Sequence, residues 1–182
     1  GSFGAARTIT NEANEANYVT SVDLDNDGDN DIIVLEDDDV TLYENLNGQG
    51  DFGNARIVIP IIHCSSDPGS ICAADINNDS DKDIILGSRY IDKILWYKSL
   101  NGHTNFSCQI TVAEDADVRS MCSADLDGDN DKDILYVSEA NDKVAWYENM
   151  DGQGTFGSQN VITVDNLQQP QSVCAADLDG DG

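Results

Sequence analysis

Five aspartates, Asp23, Asp25, Asp27, Asp29 and Asp31, alternate with single residues through the stretch "DLDNDGDND". Like charges packed this densely repel unless a cation gathers them. Alternation lets the side chains at loop positions one, three and five converge on one point. Position seven can add a backbone carbonyl, and position nine closes the sphere with another carboxylate. An all-oxygen set of this kind suits calcium, which takes six to eight oxygens at about 2.3–2.6 Å and tolerates irregular geometry. In the first loop the set is Asp23, Asp25, Asp27, the carbonyl of Asp29, and Asp31. A second loop offers Asp75, Asn77, Asp79, the carbonyl of Asp81, and Asp83, and a third offers Asp125, Asp127, Asp129, the carbonyl of Asp131, and Asp133. A fourth begins with Asp177, Asp179 and Asp181.

The loops are not equivalent. Position six, where a tight turn wants positive φ, is Gly28 in the first loop, Ser80 in the second and Asn130 in the third. Glycine adopts that conformation freely, asparagine tolerates it, and serine does so less well. The second loop also has Asn77 in place of a carboxylate, so it is expected to bind most weakly. Magnesium would demand strict octahedral geometry with retained waters. Zinc would want His or Cys, and the two histidines, His63 and His103, lie far apart in the chain's pattern. The loops differ from an EF-hand, whose twelve-residue loop ends in Glu between two helices. The reading is about one Ca²⁺ per complete Asp-rich loop.

The elements that position these loops repeat with them. The first aspartates, Asp23, Asp75, Asp125 and Asp177, recur at steps of 52, 50 and 52 residues. A second signature shares the period: "TLYENLNGQGDFG", "LWYKSLNGHTNFS" and "AWYENMDGQGTFG". Such a period marks a repeat architecture. Each unit has room for four short strands. In the third they fall near Gln109–Val112, Arg119–Ala124, Asp133–Ser138 and Lys143–Asn149, rich in β-branched and aromatic residues and joined by Asn, Asp and Gly. The fold class is therefore all-β, with β-propeller blades of four antiparallel strands and about 50 residues per repeat. The array divides into units at residues 1–51, 52–105 and 106–155, three complete repeats, with a partial fourth at 156–182. Propellers close with about four to eight blades, so the expectation is a fragment, or a subunit whose neighbours cover its ends.

Composition agrees with a globular chain: 182 residues, 40% hydrophobic and 24% charged. The balance of 9 Lys+Arg against 35 Asp+Glu gives a formal charge of −26. That excludes nucleic acid and anionic membrane surfaces as natural partners. About half of the acidic residues sit in the four loops, so bound calcium is expected to be part of the fold. No run of apolar residues is long enough for a transmembrane segment. Of five cysteines, Cys72, Cys122 and Cys174 share one repeat position, as small core residues would. Cys64 and Cys108 stand outside that pattern, and Cys64 is a candidate to bridge Cys72.

The Asp loop, the apolar strand after it, "WYEN" and "GQGTFG" together resemble the FG-GAP or VCBS-type repeat. That family includes the calcium-binding blades of integrin α-subunit propellers and many secreted bacterial and algal proteins. The Phe-Gly element is kept at Phe3-Gly4, Phe52-Gly53 and Phe156-Gly157, and departs at Phe106-Ser107. The resemblance implies a propeller with structural calcium in its blades, located extracellularly or at the cell surface, and it does not imply an enzyme.

The expected function is a non-enzymatic calcium-binding module for adhesion, recognition or assembly. Its partner would be a protein or glycan ligand, or copies of itself. A catalytic carboxylate pair would occur once rather than in every repeat. Two alternatives stay open: a glycan-binding lectin, and a structural subunit of a self-associating surface filament. Trp96, Trp146 and the neighbouring Tyr43, Tyr97 and Tyr147 recur in register with the repeat, with Leu42 in the Trp place of the first unit. They read as blade packing before they read as sugar platforms. Asn78 and Asn105 match the glycosylation sequon, and a glycan on Asn78 would crowd the metal loop. "PIIHCSSDPGS", around His63 and Cys64, is the longest connection before a loop.

Overall fold

The computed structural model describes residues 4–36, 39–60, 68–89, 91–100, 105–114, 116–163 and 167–178. Phe3, His63, Cys64, His103, Asp179 and Asp181 lie outside these. The described residues form three four-stranded antiparallel sheets. The first runs β1 (Tyr18–Val22), β2 (Asp31–Leu35), β3 (Asp39–Tyr43) and β4 (Arg56–Pro60), each strand beside the next. The second contains β5 (Pro68–Ala74), β6 (Asp83–Ser88) and β7 (Lys93–Tyr97). A short hairpin of β8 (Ser99–Leu100) and β9 (Asn105–Phe106) then precedes β10 (Ile110–Glu114), which returns to pair with β7. The third sheet is β11 (Ser120–Ala124), β12 (Asp133–Ser138), β13 (Lys143–Asn149) and β14 (Phe156–Thr163). Among the described residues no helix is long and apolar enough to cross a membrane.

The sheets are offset by one strand from the sequence units. The strand expected at Gln109–Val112 is the outer edge of the second sheet, with Ile110 opposite Trp96, and does not open the third. A periodic sequence has no intrinsic starting point. Hydrogen bonding sets the phase, because an edge strand pairs with the strand it folds back on.

Packing between sheets follows the period of two. On β6, Ile84 and Leu86 face the first sheet, while Ile85 faces the third. On β7, Leu95 and Tyr97 face the first, and Ile94 and Trp96 face the third. Because both faces of the middle sheet are covered, "DIILGS" is buried at every residue and reads as an unbroken apolar run. One core holds Leu24, Ile33, Leu35 and Leu42 against Ile71, Ile84 and Leu95. The other holds Ile76, Ile85 and Trp96 against Met121, Ile134, Tyr136 and Tyr147.

The first strands of neighbouring sheets are also joined by hydrogen bonds. The Met121 N–H on β11 donates to the Ser70 hydroxyl on β5 at 3.1 Å. One repeat later, the Val173 N–H donates to the Ser120 hydroxyl at 3.4 Å. Arg119 Nε donates to Gln171 at 3.1 Å, and the Gln169 N–H donates to Asp142 at 2.7 Å. The segment around 169–173 thus lies along β11 much as β11 lies along β5.

Cys72, Cys108, Cys122 and Cys174 are free thiols, and the Cys64 of the expected Cys64–Cys72 bridge lies outside the described residues. Cys72 is half-buried against the second core. Cys122 is half-buried and Cys174 exposed; Cys174 departs from the expected core role because no further sheet covers it among the described residues.

Candidate metal centres

Each complete acidic loop joins the first strand of a sheet to the second: β1 to β2, β5 to β6 and β11 to β12. The loops fold by turning backbone N–H groups onto their own aspartates, as Asx turns do. In the first, the Asp27 N–H donates to Asp23 at 3.1 Å, the Gly28 N–H to the other Asp23 oxygen at 3.1 Å, and the Asp29 N–H to Asp27 at 2.8 Å. The second repeats this: Asp79 N–H to Asp75 at 3.1 Å, Ser80 N–H to Asp75 at 2.9 Å, Asp81 N–H to Asp79 at 3.0 Å. In the third, Gly128 and Asn130 donate to Asp125 at 2.8 and 2.9 Å, and Asp131 donates to Asp129 at 2.8 Å.

Such a path needs two left-handed residues per loop. Position six has positive φ in all three, at Gly28 (95°), Ser80 (75°) and Asn130 (73°). Position four does too, at Asn26 (58°), Asn78 (55°) and Gly128 (86°). The second requirement was visible in the sequence as Asn, Asn and Gly at one repeat position, residue types that visit this region with least strain.

Two loops bring three carboxylates together. Oxygens of Asp23, Asp25 and Asp27 lie within 4.8 Å of one another, and so do those of Asp125, Asp127 and Asp133. Groups of hard oxygen donors at this spacing could hold a metal ion. The position-seven side chain of the third loop looks elsewhere: Asp131 accepts from the Asn78 amide of the second loop at 2.8 Å. Asp131 and Asp129 are outside the third loop's carboxylate group. No comparable three-carboxylate cluster occurs in the second loop, all of whose residues are described. Asp177 is exposed, while Asp179 and Asp181 lie outside the described residues.

Position nine braces the loop. Asp31, Asp83 and Asp133 are buried, and each carboxylate bridges two backbone N–H groups. Asp31 accepts from Leu24 at 3.1 Å and Asn45 at 2.8 Å. Asp83 accepts from Ile76 at 3.3 Å and Ser99 at 2.7 Å. Asp133 accepts from Leu126 at 2.9 Å and Asn149 at 2.9 Å. One residue therefore ties the loop entrance to the end of the third strand. Burial raises all three carboxyls despite these donors, Asp83 to about 6. Asp25 and Asp27 push Asp31 further up, and Asp127 and Asp129 do the same to Asp133. A bound cation would reverse this balance.

Sequence reasoning missed the polar residues that join neighbouring loops. Asn149 Nδ2 donates to the Ile76 carbonyl at 2.8 Å, and Gln153 Nε2 donates to the Asn77 carbonyl at 2.9 Å. Asn26 Nδ2 donates to the Ser80 carbonyl at 3.0 Å. Their signal was recurrence, since "YEN" and "GQG" each appear twice. The Phe-Gly element begins the return of the chain: Phe52 bridges Asn45, Phe106 pairs with Ser99, and Phe156 pairs with Asn149. Of the aromatics, Tyr43, Trp96, Tyr97 and Tyr147 are buried, as is Leu42 in the first Trp place. Trp146 is half-buried.

The structure is similar to that of an Agrocybe aegerita lectin described for specific recognition of non-reducing terminal N-acetylglucosamine. The TM-score is 0.59 at 23% identity, over 81% of this chain and 38% of that one. It is also similar to BBS1N solved in complex with ARL6DN, with a TM-score of 0.50 at 11% identity, over 81% of this chain and 43% of that one. The chain thus spans about two-fifths of the length of these structures, and the likeness is one of fold. No curated protein matches the sequence. A family model described as an FG-GAP-like repeat matches residues 23–86, 75–136 and 125–182 in overlapping spans, each running from one acidic loop through the next. The chain belongs to the FG-GAP-like repeat family.

Proposed function

We propose that this chain is a calcium-stabilised segment of a β-propeller that works outside the cell or at its surface as a non-enzymatic recognition or assembly module. The observation that carries the reading is the convergence of Asp23, Asp25 and Asp27, and of Asp125, Asp127 and Asp133. Such a group occurs in both the first and the third loop, as structural sites recur and a catalytic centre does not. In the first loop the ion would be held by Asp23, Asp25, Asp27 and Asp31 with the Asp29 carbonyl. In the third it would be held by Asp125, Asp127, Asp129 and Asp133 with the Asp131 carbonyl. Bound calcium supplies positive charge where the chain has concentrated its negative charge. The chain's own part is to hold each loop open with Asx turns and to clamp it to the sheet through Asp31 or Asp133. A site held at one hundred times its Kd adds about 2.7 kcal/mol to stability.

The module's partner is a protein or a glycan, or further copies of the same chain. The lectin likeness supports the glycan reading at the level of fold. Thermal melting and sedimentation velocity, each with calcium and with EDTA, test the proposal. Calcium is expected to raise the melting temperature strongly, and a particle larger than one chain would identify self-assembly. Identical melting in the two buffers would remove the metal from the account. Retention on a glycan column would select the lectin.

A further inference from the structure

The second loop departs from the other two at positions that meet in space. Its third residue is Asn77 where they have Asp25 and Asp127, and the strand end beside it carries Lys98 where they carry Glu44 and Glu148. Lys98 Nζ lies 3.3 Å from Oδ2 of Asp79. Asn77 Nδ2 donates to that same oxygen at 2.9 Å. A carboxylate oxygen that would face an ion at loop position five is therefore already met by an ammonium and an amide N–H.

The lysine is held in place. The backbone N–H of Lys98 donates to the Ser107 hydroxyl at 3.0 Å, and its carbonyl accepts from the Ser107 N–H at 2.8 Å. The next residue, Ser99, donates to Asp83 of the same loop at 2.7 Å. The side chain is only partly exposed. The substitutions also act together electrostatically: exchanging an Asp and a Glu for Asn and Lys removes two negative charges and adds a positive one.

We propose that Lys98 is the resident counter-cation of the second loop, standing where the first and third loops take calcium, and that the second sheet folds without a metal ion. This rests on the reading that the first and third loops bind calcium. An incoming ion would have to displace the ammonium from Asp79 and turn the Asn77 amide over. The Asn77 Oδ1 is buried and has no hydrogen-bond partner, so the loop keeps a latent oxygen donor that removal of the lysine would free for use. The chain then alternates a metal-dependent sheet, a metal-independent one and a second metal-dependent one, with the permanent cation in the middle.

The test counts calcium by isothermal titration in the full chain carrying Asp177→Asn, so that only the first three loops are counted, and compares it with the same chain carrying Lys98→Met. Two ions in the parent and three after Lys98→Met are expected. The Lys98→Met chain should also melt lower than the parent in EDTA and recover that loss when calcium is added. Three ions in the parent would overturn the assignment of Lys98 while leaving the first and third sites standing. An unchanged count together with unchanged melting after Lys98→Met would overturn it too. No calcium at all in the parent would overturn the reading of the first and third loops, and this inference with it.

Discussion

The Asn78 side chain in the second acidic loop donates to Asp131 in the third across 2.8 Å, and to the Gly152 carbonyl at 3.3 Å. Asn26 reaches from the first loop to the Ser80 carbonyl of the second in the same way. Adjacent loops are therefore latched at their tips as well as packed at their strands. The latch also commits an Asp131 side-chain oxygen to the neighbouring loop.

The latch predicts an asymmetric mutational result. Asn78 has a φ of 55°, so Asn78→Gly keeps the turn while removing both hydrogen bonds. It should lower unfolding free energy by about 1–2 kcal/mol and weaken calcium binding at the third loop more than at the first. Asn78→Ala should cost roughly 1 kcal/mol more, because alanine is strained at positive φ. Urea melts in saturating calcium, with calcium titrations of each variant, measure both effects. Equal losses of affinity at the first and third loops would show that the latch does not act on its neighbour.

Positions five-and-under and position nine of a loop should separate in EDTA. Asp127 belongs to the carboxylate cluster of the third loop. Asp133 is buried and bridges the N–H groups of Leu126 and Asn149. Asp127→Asn should lower stability in calcium and leave it unchanged or slightly higher in EDTA, since it removes like-charge repulsion. Asp133→Ala should be destabilising in both, by about 1.5–3 kcal/mol for each charged hydrogen bond lost. Chemical denaturation of the two variants, with and without calcium, gives the four numbers. A metal-dependent loss for Asp133→Ala alone would make it a ligand without a bracing role.

What was legible in the sequence is what repeats locally. The strands β12 at Asp133–Ser138 and β13 at Lys143–Asn149 could be bounded to the residue, because turn residues flank each apolar run. The loops were legible because every candidate ligand lies within nine residues. Relations between repeats were not. The membership of β10 depends on which strand it returns to, and the period is silent about that. Lys98 stands where the other repeats carry the Glu of "YEN", and only the fold places it beside Asp79. Trp96 and Trp146 hold equivalent places in sequence, yet only Trp96 is fully buried, because burial at that position is supplied by the neighbouring sheet.

The cysteines should differ sharply in reactivity. Burial pushes the Cys72 thiol up to about 12, with the nearby Cys122 thiol adding to the effect. The reactive species is the thiolate, so a raised pKa leaves Cys72 almost wholly protonated at pH 8. Cys122 is raised as well, first by burial. Cys108 and Cys174 are exposed. Iodoacetamide at pH 8 should label Cys108 and Cys174 within minutes in the native protein, and Cys72 only after unfolding. Timed quenching followed by peptide mass spectrometry reads the order, and early labelling of Cys72 would contradict its placement against the second core.

Two glycines with similar backbone angles should give different costs. Gly28 has φ +95° and open space where a Cβ would stand. Gly154 has φ +85°, and a Cβ there would lie 2.4 Å from Cζ3 of Trp96 in the neighbouring sheet. At Gly28 the penalty for alanine is backbone strain alone, about 1–2 kcal/mol. At Gly154 the same strain is joined by overpacking against a buried ring, a further 1–3 kcal/mol or so. The difference therefore reports the contact between the "GQG" turn of one repeat and the Trp of the preceding one. Combining Gly154→Ala with Trp96→Leu should restore part of the loss, since the smaller side chain vacates the space the methyl needs. Denaturant midpoints of the single and double variants form the cycle that measures the coupling. A coupling near zero would mean that Gly154 is required only for its turn.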